Sequence, residues 1–162
     1  MTNREFFVQC WKQEFPTFLK VFRAVPGDKL DYRPDPRSRS ARELIWLQVQ
    51  EKGCWLALIA TGKIDWKVTE PTMTLDEMIV AYEKAHAELA PHLDVLDDET
   101  WDTKTTQFIM DGHLYFEVPL GQMFWLGLFD AIHHRGQLSV YLRPMGGRVP
   151  SIYGPSADDP GL

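Results

Sequence analysis

The chain has 162 residues, a length that favours one domain, and 44% of them are apolar, so a packed core is available without staples. Its 17 Lys and Arg against 23 Asp and Glu give a net charge of −6, which disfavours a nucleic-acid backbone as partner because no cationic excess would release its counterions. No apolar run approaches the roughly 18 residues of a membrane span, the opening Met-Thr-Asn-Arg-Glu carries no apolar signal region, and Cys10 and Cys54 lack CxxC spacing; the expectation is a cytoplasmic protein with reduced thiols and neither nucleic acid nor membrane as partner.

Three segments open with Ser/Thr-x-x-Glu, the reciprocal cap in which a hydroxyl and a carboxylate satisfy orphan amides at a helix start. Thr2 with Glu5 opens a helix predicted over 2–24, with Pro16 inside it and Pro26-Gly27 as its stop. Gly27 to Arg39, with Pro34 and Pro36, reads as an extended loop, and Arg33, Arg37, Arg39 and Arg42 on and after it form either a solvated face or a hold for an anionic substrate. Ser40 with Glu43 opens a second helix over 40–61 that stops at Gly62, and Thr74 with Glu77 a third over 74–95, where Pro91 should kink or end it. Lys104–Met110 and His113–Val118 flank Asp111-Gly112, a type I′ turn signal that allows a short β-hairpin between the third and fourth helices. The fourth helix is predicted over 119–143, with Gly146-Gly147 as its stop and a coil tail from Arg148. Four amphipathic helices in a chain of this size make an all-α four-helix bundle, one domain over 1–162, with sites built from side chains that face the bundle axis.

At about 100° per residue, Asp130, His134, Gln137 and Tyr141 form one polar stripe on a fourth helix that is otherwise apolar nearly all round. Such a stripe needs partners: Asp130 and His134, at i and i+4, either hydrogen-bond each other or bind one ion together. On the second helix Glu51 sits amid Leu44, Leu47, Cys54, Trp55 and Leu58, where a carboxylate either pairs with an Arg or Lys or serves as an oxygen ligand or general base, with Gln48 at the edge of that face. On the third, His86 falls on the apolar stripe of Met78, Ile79, Tyr82 and Leu89, as a hydrogen-bonded core residue or a ligand.

The run His133-His134-Arg135-Gly136-Gln137-Leu138-Ser139-Val140-Tyr141-Leu142-Arg143, followed by Val149-Pro150-Ser151-Ile152-Tyr153-Gly154-Pro155-Ser156, resembles the DinB/YfiT-like superfamily, and Leu30-Asp31-Tyr32-Arg33-Pro34 with Ser40-Ala41-Arg42-Glu43-Leu44 is similar to its entry into the second helix. The resemblance implies a four-helix bundle, often dimeric, with a divalent metal on three histidines, one from the second helix and two at i and i+4 on the fourth. It also implies small-molecule activities such as transfer to a low-molecular-weight thiol and thiol-dependent isomerisation. Carried over by position, His134 matches the last family histidine, Asp130 stands where the other fourth-helix histidine belongs, and the second-helix position after Trp46 is Leu47. Glu51, one turn beyond Leu47, is then the remaining ligand beside Asp130 and His134, and such a harder set suits Mn, Fe or Ni at least as well as Zn. The expected function is a metal-dependent S-transferase or hydrolase acting on a small molecule, its pocket completed by Gln48, His86, Gln137 and Tyr141. The alternative is a metal-free binding or structural protein of the same fold; in either case a homodimer is expected.

Overall fold

The computed structural model describes residues 1–161, so Leu162 of the expected 1–162 domain lies outside the described residues. The fold is mostly helical with a small three-stranded sheet. Each reciprocal cap is present, and the helices begin one residue after the capping hydroxyl: α1 Asn3–Arg23 after Thr2, α2 Ala41–Thr61 after Ser40, and α3 Leu75–Val95 after Thr74. A short α4, Asp98–Thr103, capped by Asp97, leads into two strands, β2 Thr105–Met110 and β3 His113–Pro119, and α5 spans Leu120–Tyr141. Gly62 closes α2 in the left-handed conformation at φ 73°, after which Lys63–Trp66 forms β1.

The all-α expectation with a possible hairpin holds for the mostly helical fold, and β1 enlarges that hairpin to a three-stranded sheet ordered β1-β2-β3, in which β1 runs parallel to β2. The hairpin allowed by the sequence is there: β2 Thr105–Met110 and β3 His113–Pro119 pair antiparallel around Asp111 (φ 52°) and Gly112 (φ 77°), both positive as a type I′ turn requires. Neither proline ends its helix: α1 continues from Pro16 to Arg23 and α3 from Pro91 to Val95. Both prolines are exposed, as are Lys12 and Ala87 four residues before them, so the carbonyls that lose an amide partner lie on solvent-facing turns. The last helix stops at Tyr141, earlier than Gly146, because Leu142 and Met145 turn inward and are buried.

The four long helices pack in pairs, α2 against α3 and α5, and α1 against α3 and α5. Two groups of buried side chains fill the interior, one around Phe18, Phe22, Leu44, Ile45, Tyr82 and Leu138, the other around Phe7, Trp11, Trp55, Leu58, Trp101 and Phe124. In the second group, Trp101 of α4 stacks on Phe124 at 5.4 Å, and a Cβ on Gly121 would come within 2.2 Å of the Trp101 ring. Glycine at that position is what lets α4 dock on α5. Among the described residues no helix is long and apolar enough to cross a membrane. Cys10 and Cys54 are free and half-buried.

Candidate functional site

A cavity of about 420 Å³ opens between the sheet and the helices α2 and α5. Its helical wall carries Leu47 and Trp55 from α2 with Met123 and Leu126 from α5, and its sheet wall carries Ile64 and Trp66, Phe108 and Met110, and Phe116. Phe108 and Phe116 stack across the β2–β3 pair at 5.1 Å, so the hairpin presents one flat aromatic face to the cavity. The polar lining is small: Glu51 and Cys54 on α2, Asp130 and His134 on α5, and Arg39 just before the start of α2.

Asp130 and His134 lie one turn apart, which brings the His134 Nε2 to 3.3 Å from Asp130 Oδ2. The other ring nitrogen, Nδ1, is 2.9 Å from the Oε1 of Gln137, an acceptor, so Nδ1 carries hydrogen and the ring's orientation is set from behind. Burial alone would lower the pKa of His134, but its bonds to Asp130 and Gln137 outweigh burial and raise it; the same pair lowers that of Asp130.

Glu51 is in the opposite condition. Burial, then the charge of Asp130, hold its pKa well above the ordinary carboxylate range, with Lys52 pulling weakly the other way. Its Oε2 is buried and has no hydrogen-bond partner among the described residues, so the ion pair with an Arg or Lys that the sequence allowed is not formed. Across the cavity, Gly127 makes room for it: a Cβ there would stand 3.1 Å from Glu51 Oε1 and 3.0 Å from the Trp55 ring. Two carboxyls on one cavity are thus pushed in opposite directions, the pKa of Glu51 up and that of Asp130 down.

The donor set suits a divalent cation in kind, two carboxylates and an imidazole. It also suits one along its best-formed edge, since two ligands each about 2.1 Å from a common ion sit roughly 3.0–3.4 Å apart, the separation seen between His134 and Asp130. Glu51, with its unpartnered oxygen, borders the same cavity without closing the contact: among the described residues no three His, Cys, Asp or Glu side chains converge tightly enough to hold an ion. Leu47, at the position where the resemblance implies a histidine, lines the cavity and offers no donor.

The remaining residues singled out from sequence are dispersed. Gln137 touches the site only through His134, and bonds onward to His133 at 3.0 Å. Gln48 is buried, donating to the Leu44 carbonyl at 2.9 Å. His86 is sandwiched between Trp11 and Phe15, 3.9 and 3.7 Å from their ring centres, with Nδ1 3.2 Å from the Lys52 ammonium. Tyr141 packs edge-on against Tyr32 at 5.8 Å. Gln48, His86 and Tyr141 do not line the cavity. Sequence reasoning missed the sheet wall, Gly127 and Lys52; only the aromatic residues flanking Asp111-Gly112 signalled that the hairpin had an apolar face to cover.

A model of the DinB family matches residues 1–160. Among solved structures, a DinB-like protein from Bacillus cereus shares 20% identity at a TM-score of 0.75, covering 92% of this chain and 97% of that one. A DinB-like protein from Bacillus subtilis shares 22% at 0.68, covering 86% and 92%. A conserved protein from Enterococcus faecalis shares 16% at 0.58, covering 90% and 97%. At these identities the likeness is one of fold. No curated protein matches.

Proposed function

The chain belongs to the DinB family, and we propose that it is a small-molecule enzyme of that family, a four-helix bundle in one domain, with a divalent cation held by Asp130, His134 and Glu51. The observation that carries this reading is that these three side chains border one apolar cavity, and that one oxygen of Glu51 is buried with no hydrogen-bond partner among the described residues. A divalent ion held there would supply a lowered pKa to a coordinated water or thiol, the chemistry of an S-transferase or hydrolase. The chain's own residues do the rest. Gln137 holds the His134 ring so that Nε2 faces Asp130, and the aromatic walls exclude water around the reacting group. The nucleophile is a low-molecular-weight thiol or water from outside, since burial, reinforced by Glu51, raises the pKa of the Cys54 thiol, the reverse of an activated thiolate.

Metal titrations of tag-free protein with Mn, Fe, Ni and Zn test this. Wild type is expected to take up about one ion per chain. Glu51→Gln, which keeps the shape and removes the charge, should lose more than the roughly 10–100-fold that removal of an outer-shell partner costs, and His134→Ala should lose at least as much. Affinity should rise with pH, because Glu51 and His134 both give up protons to bind. No uptake of any of the four ions would overturn the metal reading. It would leave a metal-free binding cavity, a reading that Leu47 at the expected histidine position favours.

We also propose a homodimer formed through the outer face of α1 and α5. Phe6 and Phe129 are 49% and 58% exposed and are bridged by Trp125, 5.8 and 5.5 Å from their rings; Val140 lies further along at 72%. In a chain of net charge −6, an exposed aromatic cluster gives two copies an apolar patch to bury against each other. Sedimentation is expected to give a dimer at micromolar concentration and a monomer for Phe129→Glu. A wild-type monomer at that concentration would refute the proposal.

A further inference from the structure

Four arginines cluster on the loop before α2 and on its first turn, and three of them are engaged. Arg33 pairs with Glu43 at 3.2 Å, Arg37 with Asp35 at 2.9 Å, and Arg42 with Asp31 at 2.9 Å. Arg39 makes no ion pair and no side-chain hydrogen bond among the described residues, and it is the one that borders the cavity, with its charge felt by Asp130 and His134. A solvated surface arginine needs no explanation, but an unpaired one beside an aromatic cavity is placed to receive the head of whatever lies inside.

Arg39 is thus the one cationic side chain of the lining without an acidic partner among the described residues, while His134 faces Asp130. The planar fork of its guanidinium matches a carboxylate with two parallel hydrogen bonds. A doubly charged phosphate would leave its second charge unpaired near Asp130. The remaining lining is apolar, with the rings of Trp55, Trp66, Phe108 and Phe116 beside aliphatic and methionine side chains such as Leu47 and Met123.

Building on the reading of this cavity as the functional site, we propose that its ligand is a small organic monocarboxylate with an aromatic or bulky apolar body, the body lying between α2 and the hairpin and the carboxylate on Arg39. Calorimetric titration with phenylbutyrate, and with phenylbutanol and phenylbutylamine of equal chain length, tests it. Phenylbutyrate is expected to bind at least about tenfold more tightly than the alcohol, the strength of a charge-assisted pair, and the amine most weakly. Arg39→Gln should bring the acid down to the level of the alcohol and leave the alcohol unchanged, while Arg39→Lys restores part of the preference. Arg39 is exposed and unpaired, so neither variant should disturb folding. Equal binding of acid and alcohol, an acid preference that survives Arg39→Gln, or tightest binding of the amine would overturn the carboxylate assignment while the cavity reading stands. Absence of binding by all three would overturn both.

Discussion

Replacing Arg135 by Met is expected to destabilise the protein by about 3–5 kcal/mol, the range for removing one member of a buried ion pair. The guanidinium is 2% exposed. It bonds the Glu14 carboxylate through Nη1 and the Tyr153 hydroxyl through Nη2 at 2.6 Å; Tyr153 in turn donates to Glu14 Oε1 at 2.8 Å. The guanidinium also lies 4.6 Å from the Phe18 ring centre and 5.2 Å from that of Tyr153. One side chain of α5 therefore ties α1 and the C-terminal tail together, directly behind the turn that carries Asp130 and His134. Methionine fills much of the same volume but leaves Glu14 charged with no cation beside it. Chemical denaturation should show the loss, and the tail should become more sensitive to protease. Adding Glu14→Gln should recover most of the stability, because the penalty lies in the stranded charge more than in the missing contact. A loss below about 1 kcal/mol, typical of an exposed pair, or a double variant no better than the single one, would contradict this account.

How much of this was readable beforehand depended on how local each signal is. The three reciprocal caps placed the starts of α1, α2 and α3 to within a residue, because hydroxyl and carboxylate sit three positions apart and the interaction is complete within one turn. The Asp111-Gly112 turn was legible for the same reason. β1 was not: Lys63-Ile64-Asp65-Trp66 is four residues long and becomes a strand only by lying along Gln107–Met110, more than forty positions later. α4 was missed because it is six residues long, and its cap, Asp97 accepting from Thr100, has no glutamate to announce it.

The candidate site divides in the same way. A helical wheel shows Asp130 and His134 as neighbours because i,i+4 spacing fixes their separation, and it shows Glu51 as a carboxylate on an apolar face. It does not say which neighbour covers that face. Glu51 borders the cavity, while His86, on an equally apolar stripe, stacks between two rings of α1, and Tyr141 meets Tyr32 from the loop. Those differences come from how the helices cross and from a sheet wall built of three separated segments. Among the four arginines, only the placement of the acidic partners distinguishes Arg39, and that placement is tertiary.

The buried lysine beside Glu51 should give the stability curve its steepest alkaline slope. Lys52 is 6% exposed, with its ammonium 3.2 Å from His86 Nδ1 and over the rings of Trp11, Phe15 and Tyr82 at 4.9, 5.6 and 4.3 Å. Burial lowers its pKa from 10.5 to about 7, opposed in part by the charge of Glu51. Between these two values the unfolded chain holds a proton that the folded one has released, so stability rises with pH across that window, by up to about 1.4 kcal/mol per pH unit. Below pH 7 both states are protonated and the full penalty, roughly 5 kcal/mol, is in force. At the acid end His86 adds to it: burial first, and the Lys52 charge next, lower its pKa from 6.5 to about 3, so an unfolded imidazole gains a proton that the folded one refuses and stability falls as pH drops through that range. Lys52→Met removes the ammonium and keeps an apolar stem of similar length. Denaturant titrations from pH 4 to pH 10 are expected to find the variant more stable than wild type at pH 7 and the advantage shrinking toward pH 10, with a shallower acid limb as His86 loses its charged neighbour. Parallel pH profiles for the two proteins would mean that Lys52 keeps its proton when folded, held by the three rings and His86 against the pull of burial.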